Sequence, residues 1–105
     1  MLKICFFVPQ THVDQVKNAM FEAGAGKIGN YDCCSWQTLG MGQFRPLDGA
    51  EPFLGSENDL ETVMEYKVEM VCAETVIEAV IREMKAAHPY EEPAFEIYAL
   101  LNDRD

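Results

Sequence analysis

The stretch Leu60–Ala87, LETVMEYKVEMVCAETVIEAVIREMKAA, decides the fold of this chain. Its first part, Leu60–Cys72, alternates apolar with mostly charged residues, which predicts a strand that has one covered face. Its second part, Ala73–Ala87, places apolar residues every three or four positions, which predicts an amphipathic helix. His88 ends that helix, because a residue before proline avoids the helical conformation. A one-sided strand next to a helix is typical of an antiparallel sheet with helices on one face.

The flanking segments supply the other elements. Leu2–Val8 is apolar and β-prone, which predicts a buried strand before Pro9. Thr11 is placed to cap a helix that runs to Gly24. A second strand is predicted over 32–39 and a last one over 95–101, and the polar tail 102–105 is expected to fray.

The order strand, helix, strand, strand, helix, strand is the ferredoxin-like βαββαβ arrangement, an α+β sandwich. Residues 1–105 are expected to form a single domain, since 105 residues are too few for two separate cores. We expect Gly40–Gly42 to break the second strand and 43–46 to form a separate short strand or hairpin arm. Leu47–Asn58 is rich in proline and glycine and predicts a long exposed loop, so this fold carries an extended hairpin or loop insertion.

Charge and cysteine usage exclude several function classes. The net charge is −10, from 18 acidic and 8 basic residues, and such a chain repels nucleic acid and anionic membranes. We therefore expect neither nucleic acid nor membrane as a partner, and no apolar run approaches the length of a membrane span. The four cysteines lack a C-x-x-C spacing, so neither a disulfide framework nor an ordinary zinc site is expected. Reduced thiols fit a cytoplasmic protein.

The run HPYEEP at 88–93 is a candidate metal site. His88 offers an imidazole nitrogen, and Glu91 and Glu92 offer carboxylate oxygens, which together are ligands for a divalent cation. The alternative is purely structural. A histidine at a helix C-terminus is favoured by the helix dipole, and the two prolines then only shape a turn.

The run GMGQFRP at 40–46 is a candidate ligand site. Its glycines let the backbone approach a ligand closely, and its arginine can pair with a carboxylate or phosphate. The predicted ligand-binding residues are Gly40, Gly42, Phe44, Arg45 and Tyr90. The alternative is a bulged hairpin whose arginine pairs with one of the many acidic residues.

Catalysis finds little support in the sequence, and no residue is assigned a catalytic role. Cys33 or Cys34 could pair with His12 or His88 as a thiolate and imidazole. Cysteines at alternating strand positions are, however, usually core residues. Binding is therefore expected in preference to catalysis.

Four ordered runs carry a family resemblance: GAGKIGNYD at 24–32, GMGQFRP at 40–46, GAEPFLG at 49–55 and HPYEEPA at 88–94. They resemble the inserted domain of the Nif-three-like proteins, in its short stand-alone YqfO-type form. The HPYE run is also similar to one in the CutA divalent-cation-tolerance proteins.

This resemblance implies a PII-like domain that assembles as a homotrimer. The likeness to CutA implies a part in metal binding for His88, Tyr90 and Glu91. The flanking domains that hold the two-metal site of Nif-three-like proteins are expected to be absent, so the resemblance brings no hydrolase or cyclohydrolase activity with it.

The leading hypothesis is a cytoplasmic, homotrimeric PII/CutA-like module that binds a small ligand or a divalent metal in a regulatory or sensing role. Two alternatives stay open. The loop 47–58 and the acidic strand face favour a protein-interaction module without a ligand, and Cys33 or Cys34 would serve a small cysteine-dependent enzyme. The sequence does not specify which ligand or metal is bound.

Overall fold

A computed structural model describes residues 1–101, and the tail 102–105 lies outside the described residues. It contains six elements in the expected ferredoxin-like order: β1 (Leu2–Pro9), α1 (Val13–Glu22), β2 (Trp36–Phe44), β3 (Glu61–Cys72), α2 (Ile77–Ala87) and β4 (Phe95–Ala99). The predicted α+β fold is confirmed.

The four strands form one sheet in the order β2-β3-β1-β4, and all neighbours are antiparallel. β3 lies between β2 and β1. Its register with β2 runs from the pair Trp36–Glu69 to the pair Phe44–Glu61. The β1–β4 register ends earlier, at Phe6 opposite Phe95, and this early end positions the site described below.

Both helices cover the same face of the sheet and enclose the core. Alternate residues of β1 and β3 meet the apolar stripes of α1 and α2, as the two periodicities require. The largest fully buried side chains are Ile4, Phe6, Val8, Val16, Met20, Val68, Val80 and Met84.

The expected break in the second strand at Gly40–Gly42 is wrong. β2 is continuous from Trp36 to Phe44, so 43–46 is not a separate hairpin arm. Glycine is tolerated here because the side chain of Glu65 lies against the backbone at Gly42, where a Cβ atom would collide with its carboxylate. The strand also starts later than expected, because the Cys34 N–H bonds the Gly26 carbonyl at 2.9 Å and holds the chain in an irregular connection.

Other helix and strand ends also differ from expectation. α2 begins at Ile77 because residues 73–76 form a turn, in which the Val76 N–H bonds the carbonyl of Ala73. Thr11 does not cap α1, since its hydroxyl bonds the Nδ1 atom of His12 instead. The last strand ends at Ala99.

The β2–β3 ribbon extends beyond the helix layer, so the molecule is elongated, with extents of 50 × 24 × 23 Å. Met41 and Met64 pair across this part of the ribbon and are both exposed. The expected extended hairpin is therefore present, and its base forms one wall of the candidate site.

Candidate functional site between the ribbon and the 88–94 turn

His88 ends α2 and joins the following turn to β1. It is 6% exposed, and its Nδ1 atom accepts a hydrogen bond from the Tyr90 N–H at 3.1 Å. Because Nδ1 is an acceptor, Nε2 carries the proton and donates to the Phe7 carbonyl at 2.7 Å. Phe7 lies one position beyond the last β1–β4 pair, so the imidazole takes the place of the next strand partner. Both ring nitrogens are thus engaged within the chain.

The surroundings of His88 keep the ring neutral. Burial lowers the pKa of His88 below its usual value, and the charge of His12 lowers it further. The hydrogen bond to the Phe7 carbonyl opposes this shift, but burial is the larger cause. A neutral ring is the form in which one nitrogen donates and the other accepts.

Tyr90 connects the turn to β3. Its hydroxyl donates to the Oε2 atom of Glu65 at 2.8 Å. Burial, followed by the hydrogen bond to Glu65, raises the pKa of Tyr90 well above its usual range, so the hydroxyl keeps its proton and remains a donor. The Tyr90 ring also lies 4.9 Å from the ring of His88 and 5.9 Å from that of Phe44.

The loop after β2 folds back over this turn. The Glu51 N–H donates to the Glu91 carboxylate at 3.0 Å, and the Phe53 ring meets the His12 ring edge-on at 5.3 Å. The Asn58 N–H bonds the Pro46 carbonyl at 2.5 Å and closes the base of the loop. Most of residues 47–60 are exposed, as expected, yet the Glu51 backbone is bonded to the turn and the Phe53 ring contacts His12, just before α1.

These contacts enclose an open cavity of about 560 Å³ between the ribbon, the loop and the turn. This volume is within the range of small-molecule sites. The aromatic residues that line it are Phe7, Phe44, Phe53 and Tyr90, and the charged ones are Arg45, Glu65, Glu91 and Glu92. The cavity thus combines apolar walls with a small number of polar groups, which is typical of ligand sites.

Comparisons with known proteins agree with this architecture, although no protein-family model matches the chain. A GTP cyclohydrolase 1 type 2 homolog of Mycobacterium leprae is 52% identical over 99 residues, which cover 94% of this chain and 26% of the relative. One of Halalkalibacterium halodurans is 45% identical over 103 residues, which cover 98% and 28%. A Bacillus cereus protein related to NIF3 superposes with a TM-score of 0.83 at 40% identity, over 96% of this chain and 26% of that one. The chain is therefore homologous to one segment of the NIF3-related proteins.

The NIF3-related chain therefore spans about a quarter of the length of the curated relatives it matches. Its fold is also that of the CutA proteins. The PII-like protein CutA of Nostoc sp. PCC 7120 superposes with a TM-score of 0.69 over 98% of this chain and 84% of that one. At 15% identity this likeness shows the fold alone, and it confirms the expected PII/CutA-like architecture. Within residues 1–101, neither helix combines the length and apolar character needed to cross a bilayer.

The structure brings four of the five predicted ligand-binding residues of the NIF3-related chain to the cavity, namely Gly42, Phe44, Arg45 and Tyr90. Gly40 lines an adjoining depression on the open face of the sheet. Phe7, Gly42 and Glu65 are common to both. Arg45 forms no ion pair within residues 1–101, so the alternative of an arginine paired to an acid is not realised in the described part of the chain.

The predicted metal ligands lie in two different surroundings. Glu91 and Glu92 line the cavity, whereas His88 lies behind it with both nitrogens engaged. No three histidine, cysteine or acidic side chains among the described residues are grouped to hold a metal ion. Metal binding by His88, Glu91 and Glu92 stays a prediction.

The cysteines of the NIF3-related chain lie away from the cavity. Cys5 and Cys72 are buried, Cys33 is exposed with a φ of 55°, and Cys34 opens onto a separate depression beside Trp36. Neither Cys33 nor Cys34 lines the cavity next to His88. A thiolate–imidazole pair with His88 therefore gains no support from the geometry.

Sequence reasoning missed two residues that form the floor of the cavity, Phe7 and Glu65. Phe7 belongs to an apolar run that predicts only burial. Glu65 belongs to a row of acids on β3 that predicts a solvated face. The signal that distinguishes Glu65 is the glycine at position 42, and reading it requires the β2–β3 register, which the sequence alone does not supply.

Proposed function

We propose that this chain is a cytoplasmic, homo-oligomeric module that binds a small organic ligand in the cavity and serves a sensing or regulatory role. One observation carries the proposal. Four parts of the chain that are separate in sequence, at Phe7, 42–54, Glu65 and 90–94, converge on a single cavity with apolar walls. Their convergence is reinforced by the bond between the Glu51 N–H and the Glu91 carboxylate, which joins two of them.

An organic ligand fits the described contacts better than a metal ion does. A metal at His88 would have to replace the bond to Phe7 or the one from Tyr90, because both ring nitrogens are engaged. An organic ligand would instead use the aromatic walls and the guanidinium of Arg45, which has no ion pair within residues 1–101. The predicted divalent metal is tested in the same titration.

The names of the curated relatives make GTP one candidate ligand. Those proteins are named GTP cyclohydrolase 1 type 2 homologs, and this chain matches only 26–28% of their length. GTP therefore enters the proposal as a compound to be tested for binding, and no cyclohydrolase activity is proposed.

Self-association follows from the exposed apolar side chains on the outer strands. Trp36 and Met41 of β2 are 68% and 74% exposed, and Tyr98 of β4 is 47% exposed. A domain of this size buries a modest share of its surface, so covering such residues with a second copy is favourable. We expect a homotrimer, and light scattering should give a mass near three times the 11.9 kDa of one chain.

The direct test is calorimetric titration of the purified chain with GTP, ATP, Zn²⁺ and Cu²⁺, with thermal unfolding as a second readout. We expect an organic ligand to bind, and Arg45→Ala to weaken its binding by about tenfold or more, which is the effect of losing one charge-assisted hydrogen bond. Arg82→Ala is the matched control, since Arg82 is an exposed arginine of α2 outside the cavity. The proposal would be contradicted if none of the four compounds gave either heat of binding or a thermal shift.

A protein-interaction module without a ligand is the second candidate. It is favoured by Leu47, Phe53 and Leu60, which leave 60%, 48% and 63% of their surface exposed on the loop. A stoichiometric partner in a pull-down, together with an empty titration, would support this alternative over ligand binding.

A further inference from the structure

Glu65 is a half-buried carboxylate with unused acceptor capacity. A carboxylate offers about four acceptor sites, and the Tyr90 hydroxyl occupies one of them at Oε2. No other hydrogen bond or ion pair reaches the Glu65 carboxylate from the rest of residues 1–101. Partial removal of a carboxylate from water is costly unless donors replace the water, so Glu65 is ready to accept N–H or O–H groups from a ligand.

Gly42 determines where that carboxylate lies. A Cβ atom at position 42 would collide with the Oε1 and Cδ atoms of Glu65, so the acid occupies space that a side chain on β2 would otherwise fill. Gly42 is not among the residues with a positive φ, so its backbone does not demand glycine. The glycine therefore serves the placement of the Glu65 carboxylate at the floor of the cavity.

Flat apolar surfaces surround the carboxylate. Phe7, Phe44 and Tyr90 line the same cavity, and the rings of Phe44 and Tyr90 are tilted by 53° to each other. Aromatic side chains contact planar rings through offset stacking or edge-to-face packing, and either geometry suits a heterocycle of one or two rings.

The charges of the cavity disfavour anions. Three carboxylates, on Glu65, Glu91 and Glu92, line it with a single cation, Arg45. The chain as a whole carries a net charge of −10. A polyphosphate would meet repulsion from nearby acids and from the overall field, whereas an uncharged ring would not.

We infer that the cavity recognises an uncharged planar heterocycle through adjacent N–H donors, which the Glu65 carboxylate accepts, and that Gly42 and Tyr90 hold this carboxylate in place. The inference rests on the proposed function and names the chemical class of the ligand. Guanosine is a suitable probe because its base presents an N–H and a neighbouring NH₂ group. Inosine lacks only the NH₂ group, and adenosine lacks the ring N–H.

The test is calorimetric titration of guanosine, inosine, adenosine and GTP into the full chain. We expect guanosine to bind more tightly than inosine and adenosine, and more tightly than GTP because of the phosphates. Glu65→Gln should weaken guanosine binding by about tenfold or more and should reduce the preference over inosine. Glu61→Gln is the control, since it makes the same charge change on the same face of β3 outside the cavity.

A second variant displaces the carboxylate without removing it. Gly42→Ala places a methyl group where the Glu65 carboxylate lies, and the end of a flexible side chain can move away. The variant should fold, with a thermal midpoint close to that of the wild type, and should lose the guanosine preference as Glu65→Gln does.

Two results would overturn the inference. One is guanosine binding no better than adenosine, and the other is an unchanged guanosine preference in both Glu65→Gln and Gly42→Ala. If GTP or ATP still binds in an Arg45-dependent way, only this inference fails and the proposed function stands. If no compound binds, both fail.

Discussion

The two halves of β3 follow the same alternation and have different surroundings. In the half near α2, Val68, Met70 and Cys72 are at most 3% exposed. In the half that extends along the ribbon, Met64 occupies the same face and is 44% exposed. Alternation assigns a residue to a face of the sheet, but only the helices decide whether that face is covered. The candidate site lies at the part of the sheet where the helix layer ends.

The comparison is tested most directly by replacing one methionine in each half of β3, Met70 in the covered half and Met64 in the ribbon. Met70→Ala should lower the free energy of unfolding by about 2–5 kcal/mol, because it leaves a void in a packed core. Urea unfolding followed by circular dichroism, at one fixed protein concentration, would measure the loss. A loss below about 0.5 kcal/mol, the range of ordinary surface substitutions, would show that the two halves of β3 do not differ.

His88 lies at the boundary between the halves, since its partner Phe7 pairs with Lys67 of β3. His88→Ala should cost about 1–3 kcal/mol of stability, because the Phe7 carbonyl and the Tyr90 N–H lose a buried partner. The same unfolding experiment measures this cost. His12→Ala is the control and should cost less, because the bond between Thr11 and His12 is exposed.

The same residue predicts a pH dependence. Burial lowers the folded-state pKa of His88 below the 6.5 of an unperturbed histidine, so the unfolded chain binds the proton first. The contribution of His88 is therefore complete above about pH 6.5 and is lost as the pH falls toward the lower folded-state pKa, by at most about 1.4 kcal/mol per pH unit. Unfolding curves between about pH 7.5 and 5.5 should show this loss, and His88→Gln should flatten it. If the free energy of unfolding falls equally with pH in the wild type and in His88→Gln, then groups other than His88 cause the pH dependence.

The smallest expected effect on stability belongs to Met64→Ala, which should change the free energy of unfolding by less than about 0.5 kcal/mol. If the ribbon joins copies of the chain, the same substitution should weaken self-association, as sedimentation over a dilution series would show. A large loss of stability with unchanged self-association would mean that Met64 is a core residue. The two halves of β3 would then not differ in burial.

The order and type of the elements were predictable because every strand and helix carries its own periodicity. Ile4, Phe6 and Val8 alternate as a strand, and Val80 and Met84 have helical spacing. The continuity of β2 was not predictable, because glycine in a strand depends on which side chain lies against it, and the carboxylate that lies against Gly42 belongs to Glu65, 23 residues away in sequence.

The candidate site was predictable in part. Phe44, Arg45 and Tyr90 were identified because glycine, arginine and proline-rich runs mark loops that bind ligands, and these residues do share a cavity. Metal binding by His88 stays a prediction, but the bond from its imidazole to the Phe7 carbonyl of β1 was not foreseen. Its partners are backbone groups, which have no signature in a sequence.

The phenol of Tyr90 makes the molecule its own optical reporter. Phenolate absorbs at longer wavelength than phenol, and burial, followed by the hydrogen bond to Glu65, raises the pKa of Tyr90 above that of an ordinary phenol. On alkaline titration the absorbance change of Tyr90 should therefore come at higher pH than that of a free tyrosine. The higher titration pH of Tyr90 therefore reports whether the 88–94 turn is still packed against the ribbon. The measurement needs neither a label nor a ligand.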